Sequence, residues 1–277
     1  MLETGVPVVA FLMMVAVGLD VTREDLRRVA SRAGTIAVLT AAQMVLLPIA
    51  AWLLVPLVPS PRIAMFLLLV GACPGGGMSN VYVYLARANT ALSVTLTAVS
   101  CLAAIVTMPA IFAAYELLTG RAAAFAVPLP TLLVQLLIMA VVPVSAGAWI
   151  RDRYPHLERA YGRRFRALCA VGVAMIVTAG ITQSAAGMDR ALVTGGAVAT
   201  VLAAFGMAAG WLLGAGLRMP RPDRFTLLVE FAVRNLAIAM VIEVTLLHHP
   251  DFVAFGALAL LGQALLLGAA VLLGRQP

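Results

Sequence analysis

Apolar stretches about twenty residues long, each able to cross the roughly 30 Å hydrocarbon core of a bilayer, recur from one end of this chain to the other. Nothing else in the sequence restricts the fold as strongly. Only 11% of the 277 residues are charged, whereas a soluble domain carries about 25%. So little charge cannot cover a globular surface, and the whole chain reads as a membrane domain. About nine spans are expected, at Val6–Leu19, Gly34–Val55, Ile63–Leu85, Ala91–Tyr115, Ala126–Ile150, Ala167–Gly187, Ala191–Leu217, Phe225–Leu247 and Phe252–Leu273. The first is short and calls for bilayer thinning, tilt or protein cover at its ends.

The net charge of +7 comes from arginines in the short connections between spans. It therefore expresses topology rather than nucleic-acid binding. Arg23, Arg27, Arg28 and Arg32 share one loop, and Arg151, Arg153, Arg159, Arg163, Arg164 and Arg166 crowd another. Arg87, Arg218, Arg221, Arg224 and Arg275 fall on the same side, against Arg62, Arg121 and Arg190 opposite. The positive-inside rule then puts the N-terminus outside and the C-terminus in the cytoplasm of a cell membrane. Met1 to Pro7 lacks the basic region of a cleaved signal, so the first apolar run is expected to stay as a span. Cys73, Cys101 and Cys169 lie in or beside apolar spans and read as small buried hydrophobes.

Two spans break the pattern of an uninterrupted apolar helix. The third contains Cys73-Pro74-Gly75-Gly76-Gly77-Met78-Ser79-Asn80, where proline removes an amide donor and the glycines weaken the helix. The eighth contains Glu230-Phe231-Ala232-Val233-Arg234-Asn235, two formal charges at membrane depth. Such segments survive only inside protein or beside water. If the chain consists of inverted halves, residues 1–115 lacking an opening helix and residues 126–277, the two breaks occupy equivalent places. Interrupted helices at matching positions mark a transport site.

A sodium ion held in the membrane needs several oxygen ligands, preferably with an anion among them. Glu230 is the natural anion, and an opened helix at Pro74 to Gly77 delivers Ser79 and Asn80. Ser93 and Thr97 are four residues apart and share a helical face. Each has a plainer use, since membrane Ser and Thr also bond their own backbone and Gly permits close helix packing. Glu230 and Arg234, in the order that favours a helical ion pair, alternatively neutralise each other, or Glu230 exchanges protons. Either alternative leaves the protein independent of sodium.

The run Gly71-Ala72-Cys73-Pro74-Gly75-Gly76-Gly77-Met78-Ser79-Asn80-Val81, continuing through Tyr84-Leu85-Ala86-Arg87 to Ala91-Leu92-Ser93-Val94-Thr95-Leu96-Thr97, closely resembles the signature of the bile acid:sodium symporter family. Gly18-Leu19-Asp20-Val21-Thr22 with Asp25 and Arg27, the run Gln43 to Pro48 and the Glu230 to Asn235 segment resemble that family in the same order. The resemblance implies an all-α membrane transporter with a panel domain, a core domain and two sodium sites behind two crossing broken helices. Ser79, Asn80, Ser93, Thr97 and Glu230 match one sodium site. The second would use Gln43, Glu230, backbone near Phe231 and Val233, and a glutamine where this chain has Arg234. An arginine there replaces the second sodium by a tethered cation. On the substrate side Asn235 matches the family, whereas Gly77 and Met78 stand where the family often has a small polar residue and an alanine, and Arg234, if not fully paired, is a further attraction for a carboxylate or sulfonate.

The expected function is secondary transport of a small organic anion, with sodium as coupling ion and no organic cofactor. A membrane-embedded enzyme is the rival, and no HExxH, GxSxG or paired-Asp motif lies within the spans. A noncatalytic receptor remains if Arg234 disables ion coupling. His248, His249 and Asp251 read as a solvated outer loop beside Pro250 rather than a metal cluster, Glu243 as a hydrated residue near a helix end, and His156 as part of the Arg-rich loop.

Overall fold

The computed structural model describes residues 2–58, 60–119, 129–184, 190–245 and 252–274, and within them the chain is helical with no strand. Arg121, His248, His249, Asp251 and Arg275 lie outside the described residues. Thirteen α-helices follow in order: α1 (Leu2–Asp20), α2 (Arg23–Ser31), α3 (Ala33–Leu54), α4 (Pro61–Ala72), α5 (Met78–Leu85), α6 (Thr90–Thr119), α7 (Leu129–Leu136), α8 (Val142–Arg153), α9 (Pro155–Ser184), α10 (Arg190–Gly216), α11 (Arg221–Ala232), α12 (Leu236–Thr245) and α13 (Phe252–Gly274). Among the described residues, five stretches are long and apolar enough to cross a membrane: Ala33–Leu57, Thr90–Leu118, Pro130–Arg153, Arg190–Gly216 and Phe252–Leu273. Gly5–Asp20 and Pro61–Ala72 are shorter apolar helices. The chain is an all-α, multi-pass membrane protein.

The arginine-rich connections are helical rather than loop. Thr22 and Asp25 form a capping box at the start of α2, the Thr22 amide donating to Asp25 Oδ2 at 3.0 Å and the Asp25 amide to Thr22 Oγ1 at 3.1 Å. Only Tyr154 separates α8 from α9, because Pro155 opens the next helix at a position where its missing amide costs nothing. His156 accordingly sits in the first turn of α9. The first span is also longer than expected, 19 residues from Leu2, or about 28 Å at 1.5 Å per residue. The α7 and α8 helices are one span joined by a π turn at Leu137–Val141, which takes up the register lost to Pro143.

The helices sort into two groups. α1, α8 and α9 pack on one another, whereas α10 packs against α3, α4, α11 and α13, and α6 against α3, α5 and α11. Contacts of α1 with α12 and of α9 with α13 join the groups. Small residues set the closest approaches, since lipid supplies no hydrophobic drive between helices. A Cβ on Gly18 of α1 would strike the Val144 carbonyl oxygen and lie 2.9 Å from the Gly147 Cα of α8. Gly206 of α10 is as tight against α11, where a Cβ would stand 2.8 Å from the Phe231 carbonyl carbon.

Candidate functional site

The two interrupted spans break where their sequences say they should. α4 stops at Ala72, and Cys73, preceding Pro74, is extended at φ −61° and ψ 149°, the region a following proline imposes. α11 stops at Ala232 with Val233 extended at φ −83° and ψ 106°. The freed backbone groups satisfy each other. Gly75 and Arg234 form an antiparallel bridge, the Gly76 amide donates to the Val233 carbonyl at 3.0 Å, and the Asn235 amide donates to the Pro74 carbonyl at 2.9 Å. This pairing removes the penalty that unsatisfied amides would carry in hydrocarbon. It also explains Gly76, where a Cβ would lie 2.8 Å from the Arg234 carbonyl oxygen.

Beside the crossing, Ser79, Asn80, Ser93, Thr97 and Glu230 come together, all buried. The Thr97 hydroxyl lies 3.1 Å from Glu230 Oε2, and the Ser93 hydroxyl bonds Glu230 Oε1. Ser93 Oγ is also 2.8 Å from Asn80 Oδ1, while Ser79 Oγ is 3.2 Å from Thr97 Oγ1 and 3.4 Å from Ser93 Oγ. The hydroxyls of Ser93 and Thr97 thus face the carboxylate. Ser100, one turn on, does bond its own helix, donating to the Thr97 carbonyl at 3.0 Å.

The cluster holds more acceptors than protons. Two carboxylate oxygens, one amide oxygen and three hydroxyl oxygens share three hydroxyl hydrogens. Carboxylate, carbonyl and hydroxyl oxygens are the ligands that hard cations prefer, so the chemistry of this buried set fits an alkali cation.

Arg234 does not pair with Glu230. Among the described residues no hydrogen bond or ion pair joins them, because α11 ends before residue 234 and the four-residue helical spacing is lost. The guanidinium instead donates from Nη1 to the Cys73 carbonyl at 2.8 Å, and from Nη2 to Gln43 Oε1 at 3.3 Å and the Phe231 carbonyl at 3.5 Å. These are backbone and amide oxygens, the kind a bare cation would take. The residue is 4% exposed, its Nε has no hydrogen-bond partner among the described residues, and it lines the same cavity as Gly77, Met78 and Asn235. Val233 contributes its carbonyl to Gly76 rather than to this group.

Gly77, Met78 and Asn235 line a cavity between the two helix groups, closed on one side by Val6, Val9, Ala10 and Met13 of α1 and on the other by Met240, Leu260 and Gln263. Asn235 Nδ2 is 3.2 Å from Met14 Sδ, and its Oδ1 accepts the Ile238 amide at 3.3 Å. Glu243, expected to be hydrated, is fully buried. It sits on α12 inside the packed core rather than at a wet helix end. Ser100 was not anticipated. It accepts the Gly75 amide at 3.1 Å and so anchors the break, and its place seven residues after Ser93, on the same helical face, was the available signal.

A family-level sequence profile described as the sodium bile acid symporter family matches residues 7–194. The chain belongs to the sodium bile acid symporter family. The matched region takes in the first broken helix and α6, while Glu230 and Arg234 lie beyond it. The chain is 28% identical over 237 residues to a probable chloroplastic sodium/metabolite cotransporter of Arabidopsis thaliana, covering 83% of this chain and 57% of that protein. It is 25% identical over 228 residues to an uncharacterized sodium-dependent transporter of Bacillus subtilis, covering 81% of this chain and 68% of the relative. A sodium-dependent organic anion transporter of Bos taurus is 29% identical over 145 residues, 52% of this chain and 38% of that one. This family member thus spans little more than half the length of the Arabidopsis relative. The family and these relatives are named for transport, not for enzymatic catalysis.

Proposed function

We propose that this symporter-family chain is a secondary active transporter of a small organic anion that works by alternating access and is driven by one sodium ion per cycle. Sodium is held by Ser79, Asn80, Ser93, Thr97 and Glu230. The guanidinium of Arg234, with Gln43 and the backbone at Cys73 and Phe231, stands where a second cation would otherwise bind, so that position is filled permanently. The anion enters the cavity at Gly77, Met78 and Asn235, between α1 and α12. The protein lies in a cell membrane with about nine crossings, N-terminus outside and C-terminus inside. Residues 1–115 and 126–277 are the inverted halves that bring the breaks together.

The observation that carries this reading is the surplus of buried oxygen around Glu230, next to an arginine donating to three oxygens of its own. The sodium dependence in the names of the Bacillus and Bos relatives supports the coupling ion, and the organic anion in the latter name supports the substrate class. Glu230 and Arg234 make no direct hydrogen bond, each having oxygen or hydroxyl partners of its own, which leaves the carboxylate oxygens facing the hydroxyl cluster. Uptake of a panel of labelled organic anions into proteoliposomes, with sodium replaced by choline in a parallel set, is the test. Uptake that ignores sodium and collapses with the proton gradient contradicts the proposal.

A further inference from the structure

A chain of alternating charges at one end of α1, α8 and α9 ends on a member of the cation cluster. Arg151 of α8 donates to the Leu19 carbonyl at 3.1 Å and pairs with Glu158 Oε2 of α9 at 2.9 Å. Glu158 Oε1 takes Arg166 at 3.1 Å, and Arg166 holds Asp20 Oδ1 at 2.8 Å. Asp20, the last residue of α1, then offers its other oxygen to Asn80 Nδ2 at 3.5 Å. The first four side chains all belong to the α1, α8 and α9 group, and Asn80 belongs to α5 in the other.

The geometry points to Asp20 as a positioning residue for the cation cluster, and as the contact through which sodium binding draws α5 onto α1; this rests on the sodium-coupled function proposed above. A side-chain amide shows its oxygen to a cation only when its nitrogen turns away, and an amide without a fixed acceptor flips between both orientations. Asp20 is that acceptor. Its carboxylate cannot swing, because Arg166 holds the opposite oxygen and Glu158 holds Arg166. Asn80 therefore faces the cluster with Oδ1, 2.8 Å from Ser93 Oγ.

The same bond makes the link sensitive to occupancy. A cation on Asn80 Oδ1 pulls electron density out of the amide, and hydrogen bonds in such a chain reinforce one another. The N–H to Asp20 becomes a better donor when sodium is present. Linkage requires the converse: whatever strengthens the Asp20 contact raises sodium affinity by the same factor. Any movement of the α5 group past α1 must break this bond, so sodium favours the arrangement in which the two are joined. The four charged side chains sum to zero, so the device orients and couples without adding net charge.

The test is a sodium titration of the purified protein in detergent, balanced with choline chloride, read as a thermal shift and as hydrogen exchange over residues 78–85. In the wild type sodium should slow exchange there. Asp20→Ala should raise the sodium midpoint about tenfold, the scale of a modest coupling between sites, and abolish the sodium effect on exchange. Asp20→Glu should restore part of both. Arg166→Gln, which keeps the carboxylate but frees it, should weaken sodium binding less and serves if the alanine variant does not fold. Arg23→Gln, which breaks the Arg23–Asp152 pair outside this chain of charges, should leave the midpoint where it was. A wild-type midpoint in both Asp20→Ala and Arg166→Gln overturns the inference while leaving sodium coupling intact. Absence of any sodium-dependent shift in the wild type overturns both together.

Discussion

On the proposed one-sodium cycle, replacing Arg234 by glutamine should change how many charges move per turnover. With one sodium per monovalent anion the cycle is electroneutral, so membrane potential does no work on it. A tenfold sodium gradient is worth about 1.4 kcal/mol, which limits accumulation to about tenfold. Arg234 donates to the Cys73 carbonyl, Gln43 Oε1 and the Phe231 carbonyl, and the shorter neutral side chain leaves those buried acceptors without a cation. Unsatisfied buried acceptors cost about 1 to 3 kcal/mol each, so the variant should be less stable in choline and recover in sodium. If sodium takes the position, the cycle carries one net positive charge, to which 100 mV contributes about 2.3 kcal/mol. Two sodium ions and that potential together supply about 5 kcal/mol, an accumulation of several thousandfold. The assay is paired flux of labelled sodium and labelled monoanion in proteoliposomes at a potential clamped with potassium and valinomycin. Wild-type uptake should be insensitive to potential and the variant's should rise with inside-negative voltage. Two sodium ions per monoanion in the wild type, or voltage-driven wild-type uptake, would refute the tethered-cation argument.

Glu230→Gln keeps the shape and can still receive both the Ser93 and Thr97 hydroxyls on its one amide oxygen, at the Oε1 position that both already reach, so the folded protein should persist while sodium-driven uptake falls at least about a hundredfold, the scale of losing a buried charged ligand. Thr97→Val removes one hydroxyl at nearly constant volume, and sodium titration should show affinity weaker by about tenfold, equivalent to one hydrogen bond to a charged group. Gly76→Ala puts a Cβ 2.8 Å from the Arg234 carbonyl oxygen and should lower thermal stability by the roughly 1 to 3 kcal/mol of an overpacked site. Gly34→Ala, with nothing within 4 Å of its Cβ, should instead be neutral or stabilising by under about 1 kcal/mol in the same melt.

The breaks were legible because proline and glycine act locally: Pro74 dictates the conformation of Cys73 whatever surrounds it. The approach of Ser93 and Thr97 to one carboxylate followed from helical spacing that α6 keeps without interruption. The alternative of a helical Glu230–Arg234 pair applied the same spacing where the helix had already ended. Nothing local announces that end, since Phe231, Ala232 and Val233 are ordinary apolar residues, and the extended backbone there is stabilised by Pro74 and Gly76 from another part of the chain. The charged connections were misjudged as loops because hydropathy separates spans from non-spans but does not distinguish a solvated helix from a solvated loop. Glu243 was misplaced for a related reason, as burial within a helical bundle depends on neighbours such as α4, α7 and α13 that sequence position does not reveal. Asp20 and Asn80 stand sixty positions apart, and only the packing of α1 against the second helix group brings them into reach.

An arginine at position 234 alters more than an ion count. A free sodium ion binds and leaves, so a site built for it contributes to one half of the cycle and is absent from the other. A guanidinium is permanently charged and covalently held, and its bonds to Cys73 and Phe231 brace the ends of both broken helices in this structure. What remains free to respond is the cluster around Glu230, which adjoins the crossing through Ser100 and Gly75 on one side and reaches α1 through Asn80 on the other. In the proposed cycle, with one position filled by Arg234, a single sodium-binding event provides the whole difference in free energy between the two sides. That demands a cation site whose occupancy is felt across the boundary between helix groups, and the Asn80 contact with Asp20 is the bond placed to transmit it.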